Sequence, residues 1–148
     1  MKNKIIHVLI LAISSLLSGI LISKMSFIGK IGITFIYSEY TILKSWWQTA
    51  LLMFVIQFVI FIVLNFWNAK SIQLFKRIML PIIFFVVGIL GLMYTYYDFT
   101  KTSHRLMKAS FHSGFYLFWV TWFANCIFFI VKKSKKIESV KEEVYTEL

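Results

Sequence analysis

The side chains that could support metal, haem or acid–base chemistry in this chain are few and far apart. Its three histidines are His7, His104 and His112. A haem would need two axial ligands at one depth of the membrane. His7 lies near one end of the first apolar segment and His112 near one end of the fourth, and we expect these two ends at opposite faces of the membrane. His104 and His112 could meet on one side, yet two histidines alone make a poor metal site. We therefore expect no cofactor.

The remaining candidate groups for catalysis lack partners of the right chemistry. Cys126 is the single cysteine, so it forms no disulfide within the chain, and its apolar neighbours indicate a small buried side chain. Asp98 is the single carboxylate on the membrane side, which excludes paired-carboxylate chemistry. The sequence contains no glycine-rich phosphate loop and no nucleophile beside a base. We expect a protein that is not an enzyme.

The composition is that of a membrane protein. Of 148 residues, 59% are hydrophobic and 15% are charged, whereas soluble domains contain about 25% charged residues. The net charge is +10, which in a soluble protein would suggest nucleic acid as a partner. Here the basic residues lie between apolar segments, so we expect contact with anionic lipids at the cytoplasmic face and no nucleic-acid partner.

Four apolar segments are long enough to cross a membrane as helices. They cover residues 5–22, 47–67, 78–97 and 115–131, and the last one extends back to residue 112 if its first turn is included. None contains Asp, Glu, Lys or Arg, and each spans roughly 25–32 Å at about 1.5 Å per residue. Helices satisfy their own backbone hydrogen bonds in lipid. The sequence predicts an all-α integral membrane protein, a bundle of four transmembrane helices forming one domain over residues 1–148.

The basic residues outside these segments predict the orientation. The side that holds both termini and the loop between segments two and three carries 10 Lys and Arg, against 6 on the other side. The positive-inside rule then places the N- and C-termini and the charged tail, residues 132–148, in the cytoplasm. The first segment exceeds the apolar core of about 7–15 residues in a signal peptide, so we interpret it as a retained anchor. The bias towards Ile and Lys fits an AT-rich genome and suggests the inner membrane of a bacterium.

Two stretches between the segments carry further predictions. In residues 23–46 the polar side chains share one sector of a helical wheel, which is typical of an amphipathic helix in the membrane interface. Residues 98–112 contain the possible outer contact site for a partner or lipid, which comprises Asp98, Lys101, His104, Arg105 and Lys108. The simpler interpretation is a solvated loop in which Asp98 pairs with Lys101 or Arg105.

Each apolar segment also carries a narrow face of small or polar residues. The polar stripe on which we base helix packing comprises Ser14, Ser18, Gln57, Gly88, Thr121 and Asn125. In lipid, small residues let helices approach and polar side chains bond across the contact. The alternative is a polar cavity lined by Gln57, Thr121 and Asn125, although an ion pathway is poorly supported without an ionisable group. Pro81 is expected in the first turn of its helix, where a missing N–H costs little.

These features predict a small non-catalytic subunit or accessory factor of a larger membrane complex, whose partners are other integral membrane proteins. Two alternatives stay open. One is an immunity or protective protein that neutralises a membrane-active toxin through the outer loops. The other is a small oligomeric transporter or lipid-handling protein, which the lack of buried charge disfavours without excluding an apolar substrate.

Overall fold

The computed structural model describes residues 2–24, 42–71 and 73–132. Four long helices account for most of them: α1 (Lys2–Ser23), α2 (Trp46–Lys70), α3 (Leu74–Lys101) and α4 (Ala109–Val131), with a 3-10 helix at Ser103–Leu106. No strand occurs within these ranges. Each long helix contains one predicted apolar segment and is long and apolar enough to cross a membrane. The all-helical, four-span prediction is confirmed, and the chain is a multi-pass membrane protein.

The interfacial segment and the tail predicted from the sequence fall largely outside the described residues. α1 ends at Ser23, and the description resumes with a 3-10 turn at residues 42–44. Residues 25–41 and 133–148 lie outside it. The amphipathic helix over 23–46 and the charged tail over 132–148 therefore stay predictions.

The packing of the bundle is centred on α4. This helix contacts α1, α2 and α3, and α1 also packs along α2. The α2–α3 contact is small, and in the described ranges α1 and α3 do not touch. Only 11% of the most apolar window of α3 is buried, compared with 33% in α1 and 39% in α2 and α4. α3 is thus attached mainly through α4 and leaves most of its surface uncovered.

Small residues set the closest helix contacts. A Cβ atom built on Gly19 of α1 would lie 2.5 Å from the backbone nitrogen of Ala50 in α2, and one on Gly114 of α4 would lie 2.6 Å from Cγ1 of Ile22. Any larger side chain at either position would push two helices apart. Glycine therefore permits the backbone approach that fixes α1 between α2 and α4.

α3 begins one turn earlier than the apolar pattern predicted, and this changes the role of Pro81. The helix starts at Leu74, so Pro81 lies in the helix interior and our expectation of a first-turn position is wrong. The predicted apolar segment starts after the last charged residue, but the helix also includes Lys76 and Arg77. Because proline has no N–H, the Arg77 carbonyl has no partner within the helix. The indole N–H of Trp67 donates to the adjacent Lys76 carbonyl at 2.8 Å and ties α2 to the start of α3.

Candidate functional site

A buried chain of hydrogen bonds joins three of the four helices. Nε2 of His7 in α1 lies 3.1 Å from Oδ1 of Asn125 in α4. Asn125 donates through Nδ2 to the Gln57 carbonyl of α2 at 3.1 Å, and Gln57 donates through Nε2 to the Phe118 carbonyl of α4 at 3.0 Å. Gln57 and Asn125 are fully buried and His7 is 7% exposed. We call these three side chains the buried polar network.

The chemistry of the buried polar network is that of a structural contact. Since Asn125 donates through its amide nitrogen, its Oδ1 is the acceptor and Nε2 of His7 carries the proton. The imidazole ring stacks on Phe128 with ring centroids 4.1 Å apart. Asp98, the one acidic residue in the described ranges, lies near the opposite end of the bundle, at the end of α3. The network therefore offers neither a nucleophile with a base nor a pair of carboxylates.

The six residues of the predicted polar stripe have different roles in the structure. Ser18, Gln57, Gly88, Thr121 and Asn125 are buried, and Ser14 is half-buried. Thr121 donates to the Leu117 carbonyl of its own helix at 2.8 Å, and Oγ of Ser18 has no hydrogen-bond partner. Asn125 donates to the backbone of Gln57, and Oε1 of Gln57 has no hydrogen-bond partner in the described structure.

Two tryptophans of α4 hold α3 against the bundle, a role that the sequence did not reveal. Trp122 donates through Nε1 to the Phe84 carbonyl at 2.8 Å, and Trp119 donates to Oγ1 of Thr95 at 3.0 Å. Gly88 and Gly91 make room for the indoles, since a Cβ there would lie 2.7 Å from Trp122 and 2.1 Å from Trp119. The spacing of the two glycines, three residues apart, was the available signal for this contact.

The stretch between α3 and α4 is organised by His104. Its Nδ1 lies 2.7 Å from Oδ2 of Asp98, and its carbonyl oxygen lies 2.9 Å from Nε2 of His112. The expected pairing of Asp98 with Lys101 or Arg105 is replaced by this pair, because the 3-10 helix turns the chain back towards Asp98. The other members of the predicted outer contact site, Lys101, Arg105 and Lys108, are exposed. In the described part of the chain, no group of three His, Cys, Asp or Glu could hold a metal.

The C-terminal half of α3 borders an open apolar groove of about 670 Å³. Its lining includes three tyrosines and Lys101, and comprises Leu92, Met93, Tyr96, Tyr97, Thr100, Lys101 and Tyr116. The groove continues the uncovered surface of α3. Aromatic side chains with polar tips are typical of the level where lipid meets water.

Arg77 near the start of α3 and Asn68 near the end of α2 are two further buried polar residues, and the sequence did not indicate the burial of Arg77. Arg77, which we counted only as a topology charge, is 4% exposed, and Asn68 is 9% exposed. Nε of Arg77 and Nδ2 of Asn68 have no hydrogen-bond partner in the described structure. The charge of Arg77 ended the apolar segment at residue 78, so the sequence pattern did not indicate that α3 includes Arg77.

The long helices thus carry the buried polar network, the two tryptophan contacts, an apolar groove, and an arginine whose Nε lacks a hydrogen-bond partner in the described structure. Each lies on a helix that could cross a membrane. Comparison with known proteins gives no match to this chain, either to a protein-family model, to a curated protein or to a solved structure.

Proposed function

We propose that this chain is a small non-catalytic subunit or accessory factor of a larger membrane protein complex, and that it contacts its partner through α3. The observation that supports the proposal is the uneven burial of the helices, 11% for α3 against at least 33% for the others. The helix is held on one side by α4, and among the described residues it has no second substantial neighbour. A transmembrane helix of a partner would complete its packing.

The exposed face of α3 has side chains suited to such a contact. Large apolar residues recur there at alternating spacings of four and three, and all are at least 41% exposed: Phe75, Met79, Ile82, Val86, Ile89, Met93 and Tyr96. This is the spacing by which two helices interdigitate along a seam. Because lipid supplies no hydrophobic force between helices, such interdigitation is a main source of association.

We also propose that the end of the bundle that carries both termini faces the cytoplasm of a bacterium and touches anionic lipid. The support is the excess of basic residues on that side, 10 against 6. The described members lie at the start of α1, at the α2–α3 turn and at the end of α4. They are Lys2, Lys4, Lys70, Lys76, Arg77 and Lys132. Each basic residue near an anionic surface contributes about 1 kcal/mol of attraction.

The test of the partner contact is site-specific photo-cross-linking in the native membrane. A photoreactive amino acid at Val86 of α3 is compared with one at Val59 of α2, since these side chains are 49% and 52% exposed. After tagged purification in mild detergent, we expect one stoichiometric integral membrane protein to be cross-linked from Val86 and not from Val59. A chain that purifies alone, or equal cross-linking from both helices, would contradict the proposal.

A further inference from the structure

Arg77 is a buried cation without a counter-ion at the α2–α3 turn. Its side chain is 4% exposed, and its Nε finds no acceptor within the described structure. A charge in such a place needs an anion to offset the loss of water.

No described acid is in reach of Arg77. Asp98 is the one acidic residue of the described ranges, it lies 21 positions further along α3, and it pairs with His104. That separation is roughly 32 Å along a helix. The described charges at the α2–α3 turn and at the end of α4 are those of Lys70, Lys76 and Lys132. The described residues therefore supply no counter-ion for Arg77.

The surroundings of Arg77 supply more hydrogen-bond donors. The bond from Trp67 to the Lys76 carbonyl joins the last turn of α2 to the first turn of α3, and Asn68 and Arg77 are the next residues in each helix. The Nδ2 of Asn68 is a buried donor without a partner. Arg77 lies in the first turn of α3, where the positive end of the helix dipole favours an anion. This set of donors fits an anion with several oxygen atoms.

We propose that Arg77 binds the phosphate group of an anionic phospholipid at the α2–α3 turn, with Asn68 as a second donor. Arg77 directly precedes the apolar segment 78–97, so it lies at the depth where headgroup phosphates meet the hydrocarbon. Guanidinium binds phosphate through two parallel hydrogen bonds, which a lysine cannot form. The inference rests on the lipid contact proposed above for the basic end of the bundle, and it is independent of the partner contact on α3.

The test measures lipid binding to the purified, delipidated full chain in neutral detergent by native mass spectrometry and thermal unfolding. The probes are phosphatidylglycerol, phosphatidylcholine and inorganic phosphate at equal concentrations. We expect phosphatidylglycerol to bind tightest and to raise the Tm with concentration, as a ligand of the folded state does. Inorganic phosphate should not reproduce that rise.

Variants separate a defined site from general attraction. We expect Arg77→Gln to weaken phosphatidylglycerol binding by at least about tenfold, because it removes charge-assisted hydrogen bonds, and Arg77→Lys to restore only part of it. Lys70→Gln and Lys76→Gln should each cost about fivefold or less. The control is Lys24→Gln, which removes an exposed basic residue directly after α1, at the opposite end of the bundle. It should leave binding within about twofold of the unmodified chain, because the distance to Arg77 exceeds the Debye length of about 10 Å at 0.1 M salt.

Three results would overturn the inference in different ways. If the unmodified chain binds phosphatidylglycerol no more tightly than phosphatidylcholine, the proposed site does not exist. This measurement does not depend on whether any variant folds. If Arg77→Gln, Lys70→Gln and Lys76→Gln lower the phosphatidylglycerol affinity equally, lipid binding is the diffuse contact proposed above and Arg77 forms no defined site. A Tm rise with inorganic phosphate equal to that with lipid would retain a phosphate site but reject lipid as its source.

Discussion

Asn125 is the single residue on which most of the buried polar contacts converge. It bonds to His7 of α1 through one amide atom and to the Gln57 carbonyl of α2 through the other. Both contacts lie in a fully apolar surrounding, where a lost partner leaves a polar atom unsatisfied. Asn125 therefore links three helices although it belongs to only one.

Replacing Asn125 by leucine should destabilise the bundle modestly. Interhelical hydrogen bonds in membrane proteins contribute about 0.6 kcal/mol on average and about 1.7 at most, and Asn125→Leu removes two. We expect a lower thermal midpoint in detergent than that of the matched control, Thr121→Val, whose hydroxyl bonds only within its own helix. Equal midpoints would mean that Asn125 does not bond across the helices.

A double-mutant cycle should show which pairs of the buried polar network act together. His7→Leu and Asn125→Leu remove the two ends of one hydrogen bond, so their effects on the free energy of unfolding should be less than additive. Gln57→Leu and Asn125→Leu should add almost independently, because Asn125 bonds to the backbone of Gln57 and not to its side chain. Additivity of the His7–Asn125 pair would contradict the 3.1 Å bond.

Among the helices, α3 depends on one interface. Its indole contacts with α4 need glycine at positions 88 and 91, where any side chain would overlap the tryptophan rings. Its other flank has only a small contact with α2. The α3–α4 interface should therefore be the helix contact that is most sensitive to a change in side-chain volume.

Adding a methyl group at Gly91 should loosen α3 from α4. A Cβ at this position would lie 2.1 Å from the Trp119 ring, and overpacking of this kind costs about 1–3 kcal/mol. This cost exceeds the gain in helix propensity from Gly91→Ala, which is up to about 1 kcal/mol. We expect a lower Tm, with partial recovery in the Gly91→Ala/Trp119→Leu double variant. The control is Val87→Ala on the exposed face of α3. A Tm for Gly91→Ala at or above that of the unmodified chain would contradict the close contact between Gly91 and Trp119.

The end of α4 should make stability depend on pH. Burial, and secondarily the charge of Lys4, lower the pKa of Lys132 to about 8, whereas an unfolded lysine titrates near 10.4. Between these values the unfolded chain holds more protons than the folded one, so stability rises with pH. We expect the unmodified chain to gain more stability than Lys132→Met between about pH 8 and pH 10.4. Parallel curves for the two proteins would contradict the shifted pKa, and Lys101→Met serves as the exposed control.

For the molecule in its membrane, the testable property is orientation. On a Cys126→Ala background, we expect Lys101→Cys to react with a membrane-impermeant maleimide in intact cells and Lys70→Cys to react only after permeabilisation. The basis is the larger number of basic residues on the side of Lys70. The reverse labelling pattern would place both termini outside.

The number, length and approximate ends of the helices could be predicted from the residues alone. Apolar length against bilayer thickness and the need to satisfy backbone hydrogen bonds are local constraints, and they apply to each segment separately. The error at Pro81 arose at a helix end, where charged residues continue the helix beyond the apolar segment. The sequence also indicated which polar residues could pack, since few polar side chains occur within the segments.

The partners of those residues came from the folded bundle. Lipid is as apolar as a protein core, so the hydrophobic pattern of a membrane helix does not indicate which face meets another helix. The pairing of His7 with Asn125 across 118 positions, the central place of α4 and the burial of Arg77 all depend on how the helices approach one another. Those approaches are set by close contacts at a few glycines and indoles, whose effect appears only when the helices are together.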